Sequence, residues 1–225
     1  MMNASPRTPS RPADPTLPRD EPAYREMPFQ FRSVEGGLSA ATLATHLELY
    51  RGYLTQANEL IAAAADPALR RDAGQVSRPR ESVARRTSFE LNGVKLHEWY
   101  PEQLAGQPGA REPDSSSVAV EAMDVAFGGF EGWRADLEAL ATTRGIGWVV
   151  SAWDSSAGHL VNLWADLHHL LLPAGHDVVF VLDLWEHAYW NDFGPKGRGA
   201  YAKFVLAHSD WKVVEARFAY GRTGP

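Results

Sequence analysis

The chain has 225 residues, 44% of them hydrophobic and 11% aromatic, enough to bury a core in one large domain or two small ones. A formal net charge of −6 and a pI near 5.7 argue against nucleic-acid and anionic-membrane partners, because such binding needs clustered Lys and Arg, and Arg78, Arg80, Arg85 and Arg86 form only a modest basic patch. With no cysteine, disulfides, thiolate nucleophiles and Cys-ligated zinc are excluded, so any metal must be held by His, Asp or Glu.

The first 27 residues hold six prolines and few large apolar side chains, which predicts a disordered Pro-rich tail over 1–27. They contain no apolar h-region, and Asp14, Asp20 and Glu21 are unlike an acid-poor transit peptide. The expected location is therefore cytoplasmic. Residues 28–105 read as an N-terminal helical hairpin domain. Ser39 is a candidate N-cap, and Leu43, Leu47, Leu54 and Ile61 recur at spacings of 4, 7 and 7, so a long helix is expected up to Asp66-Pro67. Residues 68–81 are polar and Arg-rich, a loop or a weak helix. The second helix is expected from Ser82 to Leu104, with Gly93 inside it and Pro101 near its last turn.

"AGQPGAREPDS", residues 105–115, is a Gly/Pro linker and the best domain boundary. In the C-terminal α/β domain, 116–225, "VAVEAMDVAF" and "FEGWRADLEALATT" read as helices around a Gly128-Gly129 turn. "IGWVVSAWD", "HLVNLWAD" and "DVVFVLD" then read as three strands, the first two as a hairpin. From Gly199 to Gly221 the periodicity is helical again. The longest apolar run, "DVVFVLDLW", is interrupted by its own Asp183, so no membrane span is expected. The expected fold class is α+β: a long helical hairpin, then a three-stranded antiparallel sheet with helices.

"LDLWEHAYW", residues 182–190, carries the chemistry. Asp183 falls at the predicted end of a buried strand and His187 begins the turn or helix that follows. A carboxylate there is costly unless it is paired or binds a metal. The plain reading is that Asp183 caps the next helix and His187 is a satisfied core histidine. However, His46 lies on the first predicted helix and His97 on the second, each flanked by apolar residues. Together the four would make a His₃Asp set suited to iron, manganese or zinc.

"LDLWEHAYW" resembles the D-x-W-E-H-A-Y signature of the iron/manganese superoxide dismutases, "FELNGVKLHEWY" is similar to their second-helix ligand segment, and "YAKFVLAHSDWKVVEARF" to their C-terminal helices. The likeness runs from about residue 28 to 220 in the correct order. It implies that His46, His97, Asp183 and His187 hold one iron or manganese ion per subunit, with manganese favoured, and that superoxide is converted to dioxygen and hydrogen peroxide. It further implies that Tyr53 guards the substrate funnel, that Trp148 and Trp185 wall the pocket, and that Glu186 bonds His187 of the partner subunit in a homodimer or homotetramer. Attracting an anion to an acidic protein requires a local positive field, for which Arg217 is the candidate.

Three positions depart from the family pattern. His46 and Tyr53 are seven residues apart where most members have eight, and the intermediate histidine slot falls on Leu49 or Tyr50. One residue is about 100° of helix rotation, so a path adjustment such as loss of a π-bulge is expected, or else Tyr50 takes the funnel role. Trp190 stands where many members have a tyrosine that bonds across the dimer. The donor to bound solvent is expected to be His168, which precedes His169, because the second-helix slot is Gly93; a histidine there can titrate. Two alternatives follow from the departures: an inactive or catalytically altered protein of the same fold serving a structural or other metal-binding role, and an iron-dependent oxygen or peroxide enzyme.

Overall fold

The computed structural model describes residues 22–28, 37–70, 78–104 and 112–223. The expected tail up to residue 21, the polar stretch 71–77 and most of the Gly/Pro linker, 105–111, lie outside the described residues.

Helix α1 spans Ala40–Ala65 and starts where its cap predicts, the Ser39 hydroxyl accepting from the Thr42 amide at 3.2 Å. A short helix α2 (Pro67–Arg70) follows, and α3 runs Arg78–Gln103, four residues earlier than the apolar pattern alone indicates. Pro79 falls in the first turn, where its missing N–H has no intrahelical acceptor to serve. Part of the expected tail is tied down. Tyr24 and Asn58 exchange bonds through the Tyr24 amide and carbonyl, both 2.9 Å, and the Met27 amide donates to the Tyr50 hydroxyl at 3.0 Å. Residues 22–28 thus lie along α1.

α4 (Val118–Phe127) and α5 (Phe130–Leu140) are joined by Gly128 and Gly129, at φ of 73° and 122°. Both values suit glycine and strain other residues. The sheet follows: β1 (Gly147–Asp154), β2 (His159–Asp166) and β3 (His176–Asp183), ordered β2-β1-β3 and antiparallel throughout. The central strand β1 is buried along nearly its whole length. Between Ser151 and Ala152 its register with β3 shifts, leaving Val179 as the extra residue of a bulge. Beyond the bulge Trp148 stands opposite Asp183.

α6 (Glu186–Phe193), α7 (Arg198–His208) and α8 (Trp211–Thr223) complete the chain. The helical periodicity of the last segment is broken at Ser209 and Asp210, where Leu104 and Ser209 form a β-bridge and the Asp210 amide donates to the Gln103 carbonyl at 2.7 Å. The core centres on Trp133, Phe180 and Trp211, all fully buried, with the Trp133 indole N–H donating to Ser151 Oγ at 2.9 Å. No described helix is long and apolar enough to cross a membrane.

Gln103, with no exposed surface, joins the hairpin to β3. Its Nε2 donates to the Val181 carbonyl at 2.5 Å and its Oε1 accepts from the Val181 amide at 3.2 Å. Gln103→Ala should therefore lower the unfolding free energy by about 1–3 kcal/mol for each of the two backbone groups it leaves unpaired. Denaturant unfolding checks this; an unchanged midpoint would show that β3 does not need the clamp.

Candidate metal centre

Four elements bring the site together. His46 comes from α1, His97 from α3, Asp183 from the end of β3 and His187 from the first turn of α6. One nitrogen from each ring and one carboxylate oxygen lie within 4.8 Å of one another. His46 Nε2 is 2.9 Å and His187 Nε2 3.1 Å from Asp183 Oδ2. His97 Nδ1 donates to the Gly93 carbonyl at 2.8 Å, which fixes the proton on that nitrogen and leaves the buried Nε2 lone pair without a partner. His46, His97 and Asp183 are buried, and only the His187 side chain is partly open, at 15% exposure.

Asp183 answers both sequence readings, with different oxygens. Oδ1 accepts from the Trp185 amide at 2.9 Å at the start of α6, while Oδ2 faces the histidines. Burial pushes its carboxyl up, but the charge of His187 and the bonds from His187 and His46 outweigh burial and hold it below the usual carboxylate range. Burial lowers His46 and His97, so their rings stay neutral. Three imidazoles bound as neutral donors with one carboxylate would make a set of net −1, of the type first-row divalent metals take. The orphaned His97 Nε2 beside that carboxylate fits a cation.

Outside these four groups sits a second layer. His168 is fully buried at the turn after β2. Its Nδ1 accepts from the Trp148 indole at 3.0 Å, and Trp can only donate, so the ring proton is on Nε2, 2.9 Å from the Tyr53 hydroxyl. Burial pushes His168 down to about 4. Trp185 stacks on its other face at 4.7 Å. The turn that aims His168 inward needs Leu167 at φ 55°, a strained value for leucine, pinned by its amide to the Ile146 carbonyl and its carbonyl to the Trp185 indole.

Tyr53, and not Tyr50, lies against the cluster, its ring 4.8 Å from His97. Between His46 and Tyr53 α1 is α-helical throughout, with no π-bulge, and seven residues at about 100° fall only about 20° short of two full turns, so the two residues share a face. Gly93 makes room for this ring, since a Cβ there would stand 2.8 Å from Tyr53 Cδ1. Tyr50 instead donates to Glu98 Oε1 at 3.0 Å, in the cluster that anchors residues 22–28. Arg217 is also away from the site; it clamps α8 to α3 through Glu102 at 2.7 Å and the Trp99 carbonyl at 2.8 Å. Glu186 and Trp190 are one turn apart on α6 and both exposed, Trp190 by 50%.

Tyr100 was not singled out by sequence reasoning, yet its ring stacks on His46 at 4.9 Å, and its hydroxyl accepts from Tyr201 at 2.7 Å. Its place one turn after His97 was the available signal. Phe89, two turns before His97, packs on His168 at 4.6 Å and was likewise unmarked.

Residues 115–217 match the family model of the iron/manganese superoxide dismutases, C-terminal domain. A manganese superoxide dismutase of Haloarcula marismortui is 30% identical over 193 residues, covering 84% of this chain and 90% of that one. An iron superoxide dismutase of Cupriavidus metallidurans is 31% identical over 197 residues, covering 81% and 89%. The chain belongs to the iron/manganese superoxide dismutase family. A third member, named as a manganese/iron enzyme, from Propionibacterium freudenreichii subsp. shermanii, is 27% identical over 199 residues, covering 88% of this chain and 96% of its own. These superoxide dismutases therefore span both metals, and the choice rests on the site.

The His168 tautomer is directly testable. Histidine ¹⁵N shifts should show Nε2–H and an unprotonated Nδ1 from pH 5 to 9, a range above about 4. A proton on Nδ1 would contradict the Trp148 bond.

Proposed function

We propose that this protein is a superoxide dismutase holding one iron or manganese ion per chain on His46, His97 and His187 through Nε2 and on Asp183 through Oδ2. The observation that carries this reading is the convergence of these four atoms around a nearly closed centre, with the His97 Nε2 lone pair unpartnered. When bound, the ion supplies the one-electron oxidation and reduction by which two superoxide anions and two protons become dioxygen and hydrogen peroxide.

The chain's own part is to orient donors and hold protons. Gly93 fixes the His97 tautomer, and Trp148 fixes that of His168. His168 Nε2–H donates to the Tyr53 oxygen, which leaves the Tyr53 proton free to point towards a reduced oxygen species in the pocket. Burial, with the charges of Asp183 and Glu90, pushes the Tyr53 hydroxyl above its ordinary value, so it keeps that proton until one is demanded. Trp148 and Trp185 exclude water around the two histidines.

The preference for manganese is supported by Gly93, which leaves the second-helix slot empty of a donor, and by His168 entering from the sheet side. Exposed Glu186 and Trp190 on one face of α6 support assembly as a homodimer or homotetramer. The lack of cysteine accords with a cytoplasmic location. A scaffold without metal has no use for a carboxylate with no exposed surface facing three imidazoles.

Elemental analysis of untagged protein should find about one iron or manganese per chain, with superoxide consumption by the same sample. His187→Ala should reduce that consumption by more than the roughly 10–100-fold typical of losing an outer partner. Metal without activity would turn the reading to an altered enzyme of this fold, and absence of metal would refute it.

A further inference from the structure

The proposed reaction needs a cation at the pocket mouth, and Arg217, the candidate from sequence, is spent on Glu102. Arg198 is similarly committed, donating to the carbonyls of Thr143, Gly145 and Leu184 at 2.6, 2.6 and 2.8 Å. Arg86 is placed differently. Its guanidinium carbon lies 4.1 Å over the Phe89 ring, and the other neighbours of Phe89 are His168 at 4.6 Å, His169 at 5.6 Å and Tyr53 at 6.1 Å. One aromatic ring therefore separates the guanidinium from the inner pair, Tyr53 and His168.

Arg86 holds that position through Glu90, one turn on, with Nε donating to Glu90 Oε1 at 2.6 Å. The Glu90 side chain is 2% exposed and that of Arg86 57%. Among the described residues the two Nη groups have no hydrogen-bond partner, and with the side chain 57% exposed the open edge of the guanidinium is accessible to solvent over Phe89. That edge is a planar fork matched to an anion with two oxygens. His169 adds a buried Nδ1 with no partner among the described residues.

We propose that Arg86 is the anion-guiding residue of this site, gathering superoxide at the mouth beside Phe89 and His169 while its bond to Glu90 cancels a buried negative charge that would repel the same anion. It is a positioning residue, and the inference rests on the dismutase reading for the identity of the anion. The Glu90 charge raises the Tyr53 hydroxyl and the Arg86 charge lowers it. Removing Arg86 alone thus removes a cation and exposes a carboxylate.

The test compares metal-loaded wild type with Arg86→Gln, Arg86→Lys and the neutral double variant Arg86→Gln/Glu90→Gln, which guards against misfolding from an unpaired Glu90. At low ionic strength kcat/KM for superoxide should fall about 3–10-fold in Arg86→Gln and less in the double variant, with kcat unchanged and Arg86→Lys near wild type. The deficit should shrink as salt screens the field. A second readout needs no turnover: iodide quenching of tryptophan fluorescence should drop in Arg86→Gln, while quenching by neutral acrylamide should not. Equal kcat/KM at every ionic strength, or a salt-independent loss shared by Arg86→Lys, would overturn the proposal and leave the dismutase reading intact. A charge-selective quenching difference in a protein that does not consume superoxide would keep the anion entrance and reject the dismutase reading.

Discussion

A carboxylate with no exposed surface, Asp183, is the constraint around which the molecule is arranged. Leaving such a group ionised in a protein interior is costly unless hydrogen bonds and charge compensate it. Here Oδ1 takes the Trp185 amide and Oδ2 takes His46 and His187. Those partners come from α1 and from the start of α6, so the position of one side chain at the end of β3 ties all three elements to each other. The bulge at Val179 and the pairing of Trp148 with Asp183 set which residue ends the strand at that point.

The surrounding protein reads as support for that arrangement. The Gln103 side chain binds α3 to the backbone of β3, and Arg217 in turn binds Gln103 and α3 to the last helix. Arg198 gathers three carbonyls near the ends of α5, β1 and β3. The series of ring contacts from Phe89, edge-on to His168, to Trp185, stacked on it, fills the space outside the four ligands, and the nitrogens of His168 and Trp185 are already directed. A rigid surround of this kind holds donors in place before any reaction.

Much of this was legible in the sequence. The long helices showed through Ser39 and the spacing of Leu43, Leu47, Leu54 and Ile61, and the strands through their Val- and Trp-rich runs. The four candidate ligands were found because a strand-end Asp-x-x-x-His and two helical histidines in apolar surroundings are unusual together. Periodicity could not show the start of α3, because proline in a first turn is neutral there, nor the break at Ser209, which is made by a long-range bridge to Leu104. Which of Tyr50 and Tyr53 faces the site was open in the sequence and is decided by the helix itself, since in a regular α-helix seven residues nearly close two turns and put Tyr53 on the face of His46. Arg217 and Arg86 are equal in sequence; only the partners each finds in space distinguish them.

The most direct test of the central claim is anomalous diffraction from crystals of the purified protein, collected at the iron and manganese absorption edges. The account predicts one peak per chain, enclosed by Nε2 of His46, His97 and His187 and Oδ2 of Asp183. An absent peak, with Asp183 still hydrogen-bonded to His46 and His187, would mean that the four groups form a buried polar network and not a metal centre.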